Sequence, residues 1–151
     1  MNIIKVQTNE QLAQCLDIRR AVFIDEQQVP EALEIDEQDV LGVGHHVLVL
    51  DQDGIAMATA RYKAYDAKTA KIQRVAVRKE ARGRDYGRQV MTAIEELAYS
   101  NGMSEVILDA QVSAVGFYRK LDYQIVSATP FLDAGIEHLR MSKSLADESL
   151  R

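Results

Sequence analysis

The stretch Gln73–Gly87, Gln-Arg-Val-Ala-Val-Arg-Lys-Glu-Ala-Arg-Gly-Arg-Asp-Tyr-Gly, narrows the choice of fold more than any other part of the chain. Its first part, around Val75 and Val77, is β-branched and suits a strand. Its second part, Arg82 to Gly87, mixes glycine with basic side chains. Just beyond, Val90, Met91, Ile94, Leu97 and Ala98 recur with the spacing of one helical face. First-turn N–H groups of a helix lack intrahelical partners and sit at the positive end of its dipole. A basic glycine loop leading into such a helix therefore suits a phosphate.

The flanking segments predict a mixed α/β chain. Ile3, Ile4 and Val6 suggest a first strand, and Thr8 with Gln11 has capping-box spacing for a helix. That helix turns Leu12, Leu16, Arg19, Val22 and Phe23 to one side, with Cys15 beside them as a small buried hydrophobe, and Pro30 is expected to stop it. Glu31 to Asp39 is acidic and is expected to be mainly solvated loop, or a rim that attracts a cationic amine. Strands over His45–Leu50, Ile55–Tyr65 and Thr69–Val77 form an antiparallel meander, with Asp53-Gly54 in the first hairpin turn. After the helix, Ser100-Asn101-Gly102 is a stop. Glu105–Asp109 is a strand that a crossover helix should place parallel to the one before it. A short helix over Gln111–Leu121, a strand over Tyr123–Ser127, a turn at Phe131–Gly135 and a last strand over Ile136–Ser144 complete the order. Asp147–Arg151 reads as a polar tail.

A chain of 151 residues is expected to form one domain, residues 1–151. Net charge is −5, so nucleic acid is not an expected partner, yet Arg78, Lys79, Arg82, Arg84 and Arg88 cluster locally. That local patch suits a small anionic ligand. One cysteine excludes an intrachain disulfide, no cysteine–histidine spacing suggests zinc, and no apolar run approaches the ~20 residues of a membrane helix. With no signal-peptide pattern at the start, no membrane association and a cytoplasmic location are the expectations, with a homodimer left open.

Arg82 to Gly87 resembles the acyl-CoA-binding loop of the GNAT N-acetyltransferases, Arg/Gln-X-X-Gly-X-Gly/Ala, with Asp85 at the position of the middle glycine. Gly116 to Tyr123 is similar to the family's Phe-Tyr-X-Lys-X-Gly-Phe, with Asp122 for the glycine. Arg19 to Gln27, Glu34-Ile35-Asp36 and Gly135–His138 look like the small bacterial group typified by the ElaA and YjcF proteins. The resemblance implies the GNAT fold, a mixed central sheet with an antiparallel meander, flanking helices and one parallel strand pair splayed at the acyl-CoA site. It implies acetyl transfer from acetyl-CoA to a primary amine of a small molecule or peptide, by direct attack in a ternary complex and with no metal.

By the same resemblance the pantetheine arm bonds to Val75, Ala76 and Val77 as a pseudo-strand, with a backbone N–H there polarising the thioester. The diphosphate rests on Arg82, Gly83, Arg84, Asp85, Tyr86, Gly87 and Arg88, and Gln111, Phe117 and Tyr118 complete the cofactor site. Tyr118 is the implied general acid, a phenol placed to donate to the leaving thiolate. Glu26 and His138 are the candidate bases. Glu34, Asp36, His46, Arg61 and Arg74 are candidates for the acceptor side. Taken without the resemblance, Tyr118 is an ordinary core tyrosine and Arg61 and Arg74 pair with the acidic loop. Two other readings stay open: an acyl-homoserine-lactone synthase using Glu26 and Asp36, although the chain lacks the tryptophan common there, and a CoA-binding module without turnover.

Overall fold

A computed structural model of the chain describes residues 2–127 and 129–145; the tail expected over Asp147–Arg151 lies outside them. The described strands are β1 (Asn2–Lys5), β2 (His45–Leu50), β3 (Ala56–Ala64), β4 (Thr69–Val77), β5 (Glu105–Gln111), β6 (Gln124–Ile125), β7 (Phe131–Asp133) and β8 (Ile136–Ser144). They form one sheet in the order β1-β2-β3-β4-β5-β8-β6, with β7 also on β8. Only β4 and β5 pair in parallel among these neighbours, because the helix α3 (Tyr86–Ser100) carries the chain back across the sheet between them. Phe131–Asp133, expected as turn, is strand β7, and the reversal falls on Ala134-Gly135, both left-handed.

Helix α1 (Asn9–Arg19) opens on the expected capping box: Gln11 N–H donates to Thr8 Oγ1 at 3.1 Å and Thr8 N–H to Gln11 Oε1 at 3.2 Å. Its buried side is Leu12, Cys15, Ile18 and Arg19, whereas Leu16 and Phe23 are half-buried. The helix widens into a π-helical stretch over Arg20–Glu26, and that change of period rotates the expected face. The chain leaves it through Gln28 in a left-handed conformation. Pro30 therefore does not end α1; it precedes the one-turn helix α2 (Glu31–Glu34).

The apolar residues lie in two layers. Val90, Met91, Ile94 and Ala98 of α3 pack on one face of the sheet with Val47, Val49, Tyr62 and Ile72. Cys15, Ile18 and Val22 pack on the other with Leu48, Ala56 and Ala76. The sheet changes side at one point in β4. Arg61 faces Gln73 across β3–β4, but Thr59 faces Ala76, so β4 carries one extra residue. This is a β-bulge, and Arg74 within it has φ +57°. Before it Ala70 and Ile72 face α3; after it Val75 and Val77 take that side and Ala76 turns to α1. A non-glycine residue held left-handed costs about 1–3 kcal/mol, so something must hold it.

That support is a lattice of ion pairs beneath α1. Arg19 is 1% exposed. Its Nε donates to Glu34 Oε2 at 2.8 Å and its Nη2 to Glu34 O at 2.7 Å and Asp39 Oδ2 at 2.9 Å. Arg61, equally buried, donates to both oxygens of Asp36 at 2.7 Å, to Asp39 Oδ1 at 2.9 Å and to Gln73 Oε1 at 3.0 Å. The Asp39 side chain is fully buried. The acidic stretch is thus not a solvated loop at Glu34, Asp36 and Asp39, because two arginines on apolar faces draw these carboxylates inward. His46, opposite Arg61 in register, donates from Nε2 to the Gln38 carbonyl at 3.0 Å.

Burial alone would raise the Asp39 carboxyl, but the bonds from Arg19 and the Asp36 N–H, with the charges of Arg19 and Arg61, hold it far below the usual range. Asp36 is lowered likewise: the Arg61 and Gln38 bonds outweigh its desolvation. Burial lowers His46. Glu34 runs the other way, since desolvation outweighs its arginines. A carboxyl depressed in the folded state stabilises above its unfolded pKa of about 3.9 and loses that contribution as pH falls through and below it. His46 adds acid lability from about pH 6.5 downward, and Glu34 offsets part of the total. We expect Asp39→Asn to cost about 3–5 kcal/mol at pH 7, by leaving Arg19 and Arg61 short of a charge partner. Its stability should fall less steeply than wild type between about pH 5 and 2 in urea titrations, and a slope equal to wild type would contradict the assignment.

Candidate active site

The parallel ladder between β4 and β5 runs from Thr69↔Glu105 to Ile72↔Leu108 and stops there. Both strands go on, β4 to Val77 and β5 to Gln111, and from Gln73 onward β4 keeps its β3 partner alone. A gap therefore opens in the sheet at the Arg74 bulge. Along it the edge of β4 offers backbone N–H and C=O groups to an extended ligand, as an unpaired edge does to a peptide.

The loop expected to hold phosphate lies at the end of that edge. A 3₁₀ turn over Lys79–Ala81 leads into Arg82, then Gly83 (φ +77°), Arg84 and Asp85 (φ +73°), and α3 begins at Tyr86. Asp85 stands where the resemblance has glycine, and its backbone takes the left-handed conformation that aspartate tolerates better than most residues. Its carboxylate does not cap α3; it pairs with Arg88, whose Nε donates at 2.8 Å. The first-turn amides thus carry no side-chain cap, and the Asp85 charge is met by Arg88. Tyr86, 7% exposed, pins this helix start to the core while Arg82, Gly83, Arg84 and Arg88 stay at the surface.

The opposite wall is the short helix α4 (Val115–Arg119), which follows a 3₁₀ turn over Val112–Ala114. Phe117 lies against the start of α3: a Cβ on Gly87 would come within 3.0 Å of its ring. Any side chain there would press on the Phe117 ring, which glycine avoids. Tyr118 is buried between Phe117 and Tyr123, edge-on to both at 5.0 and 5.8 Å. Its hydroxyl makes no hydrogen bond among the described residues, and burial pushes its phenol well above the ordinary range. Tyr118 therefore stays protonated at neutral pH. Asp122, the second departure from the glycine pattern, is again left-handed (φ +73°) in the turn that ends α4.

The candidate bases are placed very differently. Both oxygens of Glu26 accept from Arg82, at 2.9 Å each, and Arg82 Nε also reaches the Val77 carbonyl at 3.2 Å. A carboxylate so engaged is a poor base. Glu34, Asp36, His46 and Arg61 belong to the lattice described above, and Arg74 joins it through Glu34 and Asp36. The carboxylates that a lactone-synthase reading uses, Glu26 and Asp36, are thus engaged by Arg82 and Arg61. His138 differs. It faces Gln111 across β5–β8, at the end of the gap, and its ring lies near Phe131. Its Nδ1 is 2.7 Å from the Ile136 carbonyl. A carbonyl only accepts, so Nδ1 carries the proton and Nε2 of the neutral ring keeps its lone pair.

Gln111 exchanges hydrogen bonds with Gln27, at 2.9 and 3.4 Å. Gln27 was not singled out from the sequence, and neither was Asp39 as a buried charge. Gln27 carries no local signal, since the contact spans 84 residues. Asp39 had one: Arg19 falls on an apolar helical face, and a buried arginine implies carboxylates to meet it. Among the described residues there is no group of three or more histidine, cysteine or acidic side chains placed to hold a metal, and no helix long and apolar enough to cross a membrane. Cys15 lies inside the α1 core with its thiol pushed up to about 11 by burial, away from this chemistry.

Comparison with known proteins agrees with this geometry. The model of the acetyltransferase (GNAT) domain matches residues 5–145. The N-acetyltransferase YjcF of Bacillus subtilis, itself uncharacterized, is 37% identical over 143 residues, which covers 95% of this chain and 99% of YjcF. Among solved structures, Escherichia coli ElaA superposes with a TM-score of 0.81 at 28% identity, covering 94% of this chain and 98% of ElaA. An acyl-CoA N-acyltransferase of Pseudomonas aeruginosa gives the same TM-score at 26% identity, with 94% and 98% covered. The parted parallel strands, the uncapped helix start and these similarities together place the chain in the GNAT acetyltransferase family, in its small ElaA- and YjcF-like bacterial group, and make it an acyltransferase.

Proposed function

We propose that this protein transfers an acetyl group from acetyl-CoA to a primary amine of a small molecule or peptide, by direct attack with both substrates bound. The observation that carries the reading is the gap after Ile72↔Leu108, lying beside a helix start that no side chain caps. The residues fit the carrier at each point: the Val75–Val77 edge suits an extended amide-bearing arm, the amides near Tyr86–Arg88 suit a diphosphate, and Phe117 closes the wall. Arg82 and Arg84 add positive charge at the rim, with Arg82 exchanging Glu26 for a phosphate oxygen. When bound, acetyl-CoA supplies the activated acyl carbon.

The chain's own groups do the rest. Backbone N–H at Val75 or Ala76 polarises the acyl carbonyl. Nε2 of His138 takes a proton from the bound ammonium so that the free amine can attack the acyl carbon, and the Tyr118 hydroxyl donates to the departing sulfur. The high pKa of that phenol favours hydrogen bonding over full proton release. No covalent enzyme intermediate is needed, since holding two substrates in contact supplies much of the rate. We read residues 1–151 as one catalytic domain acting without metal.

Calorimetry with CoA and acetyl-CoA, followed by thiol release over a panel of spermidine, lysine, tyramine and an aminoglycoside, tests the reading; a chain that binds neither thioester nor thiol refutes it. Gly87→Glu should abolish CoA binding, because the side chain meets Phe117 and puts a negative charge at the helix start. Tyr118→Phe should lower kcat by about 10²-fold with near-normal CoA affinity. His138→Gln should lower kcat by about 10²-fold with near-normal CoA affinity; turnover within about threefold of wild type would take His138 out of the base role.

A further inference from the structure

Arg74 sits where β4 leaves β5, in a backbone conformation that a long side chain adopts only under constraint. The constraint is its guanidinium. Nε donates to the Glu34 carbonyl at 3.1 Å and Nη2 to the Leu33 carbonyl at 3.1 Å. The carboxylates of Glu34 and Asp36 lie 3.3 and 3.5 Å away. A planar fork thus holds two successive carbonyls of α2 across some forty residues of chain. Arg19 and Arg61 tie the carboxylates of Glu34, Asp36 and Asp39 to α1 and β3, and Arg74 ties the Leu33 and Glu34 carbonyls to β4 at the bulge. Leu33 itself is exposed, so the outer side of α2 is open to solvent.

We propose that Arg74 is a positioning residue for acyl transfer: by gripping the Leu33 and Glu34 carbonyls it fixes the α2 segment, which borders the acceptor side, at one distance from the open edge of β4. The proposal rests on the acetyl-transfer reading above. The transfer needs the amine nitrogen in contact with the acyl carbon, and a misplacement of about 1 Å costs on the order of 10²-fold in rate. One residue thereby serves both sides of the reaction. Its backbone sets the bulge at the cofactor edge and its side chain locates the acceptor wall.

Glycine adopts a positive φ without penalty, so Arg74→Gly keeps the bulge and removes only the grip. Arg74→Lys keeps the charge but cannot span both carbonyls with a planar fork. Expected for Arg74→Gly are acetyl-CoA affinity within about threefold of wild type and faster hydrogen exchange over residues 31–36. Its kcat should be lower by about 10²-fold with whichever panel amine wild type acetylates fastest, and Arg74→Lys should restore less than a tenth of the loss. Unchanged exchange over 31–36, kcat within threefold of wild type, or an equal loss of acetyl-CoA affinity and kcat would each overturn the proposal. If Arg74→Gly fails to fold, the same three readouts on Arg74→Lys decide it. Wild type that binds no acetyl-CoA removes the acetyl-transfer reading and this role together, whereas wild type and Arg74→Gly that acetylate equally well remove this role alone.

Discussion

One extra residue in β4 shapes everything near the site. Without it β4 would stay in ladder with β5, and the parallel strands would continue to pair up to their ends. With it the strand twists, its side chains change faces, and a sheet that is otherwise continuous acquires an inner edge. An edge inside a sheet is a liability in most proteins because it invites another strand. Here it lies between a core packed by α3 and a loop held by arginines. In the acetyl-transfer reading proposed above it is filled by a thin, extended, amide-bearing arm.

The ion lattice that holds this geometry is not an economical source of stability. Buried ion pairs lose much of their attraction to desolvation, and apolar residues of equal volume would often serve the fold as well. What Arg19 and Arg61 gain over leucine is direction. Each guanidinium fixes two or three acceptors at set angles, so the carboxylates of Glu34, Asp36 and Asp39 have defined places beneath α1. A loop that borders a reaction site needs that definition more than it needs a few kcal/mol.

The two aspartates that replace glycines in the family pattern show how the same backbone is kept by other means. Asp85 and Asp122 both occupy left-handed positions, which explains the glycine preference, and aspartate is among the residues that reach them at modest cost. Asp85 brings a negative charge to the start of α3, and Arg88 answers it within one turn. The arginine count of the loop therefore overstates its positive charge: Arg82 is matched by Glu26 and Arg88 by Asp85, while the start of α3 carries no side-chain cap.

The sequence by itself determined the order of the elements, because hydrophobic period, capping residues and turn glycines act over a few positions. It carried the meander, the crossover helix, the Thr8 cap, the glycine loop and the Phe-Tyr helix, and through the last two the family. It could not show that Glu34, Asp36 and Asp39 are drawn against buried arginines, since a carboxylate reads as solvated until its arginine is known. Nor could it assign the partners of Glu26, Gln27 and His138, whose contacts join segments far apart in the chain or depend on which ring nitrogen meets a carbonyl. Strand identity is written in local alternation, but the place where two strands part depends on a single left-handed residue and on contacts from forty positions away. Only the folded chain could decide that.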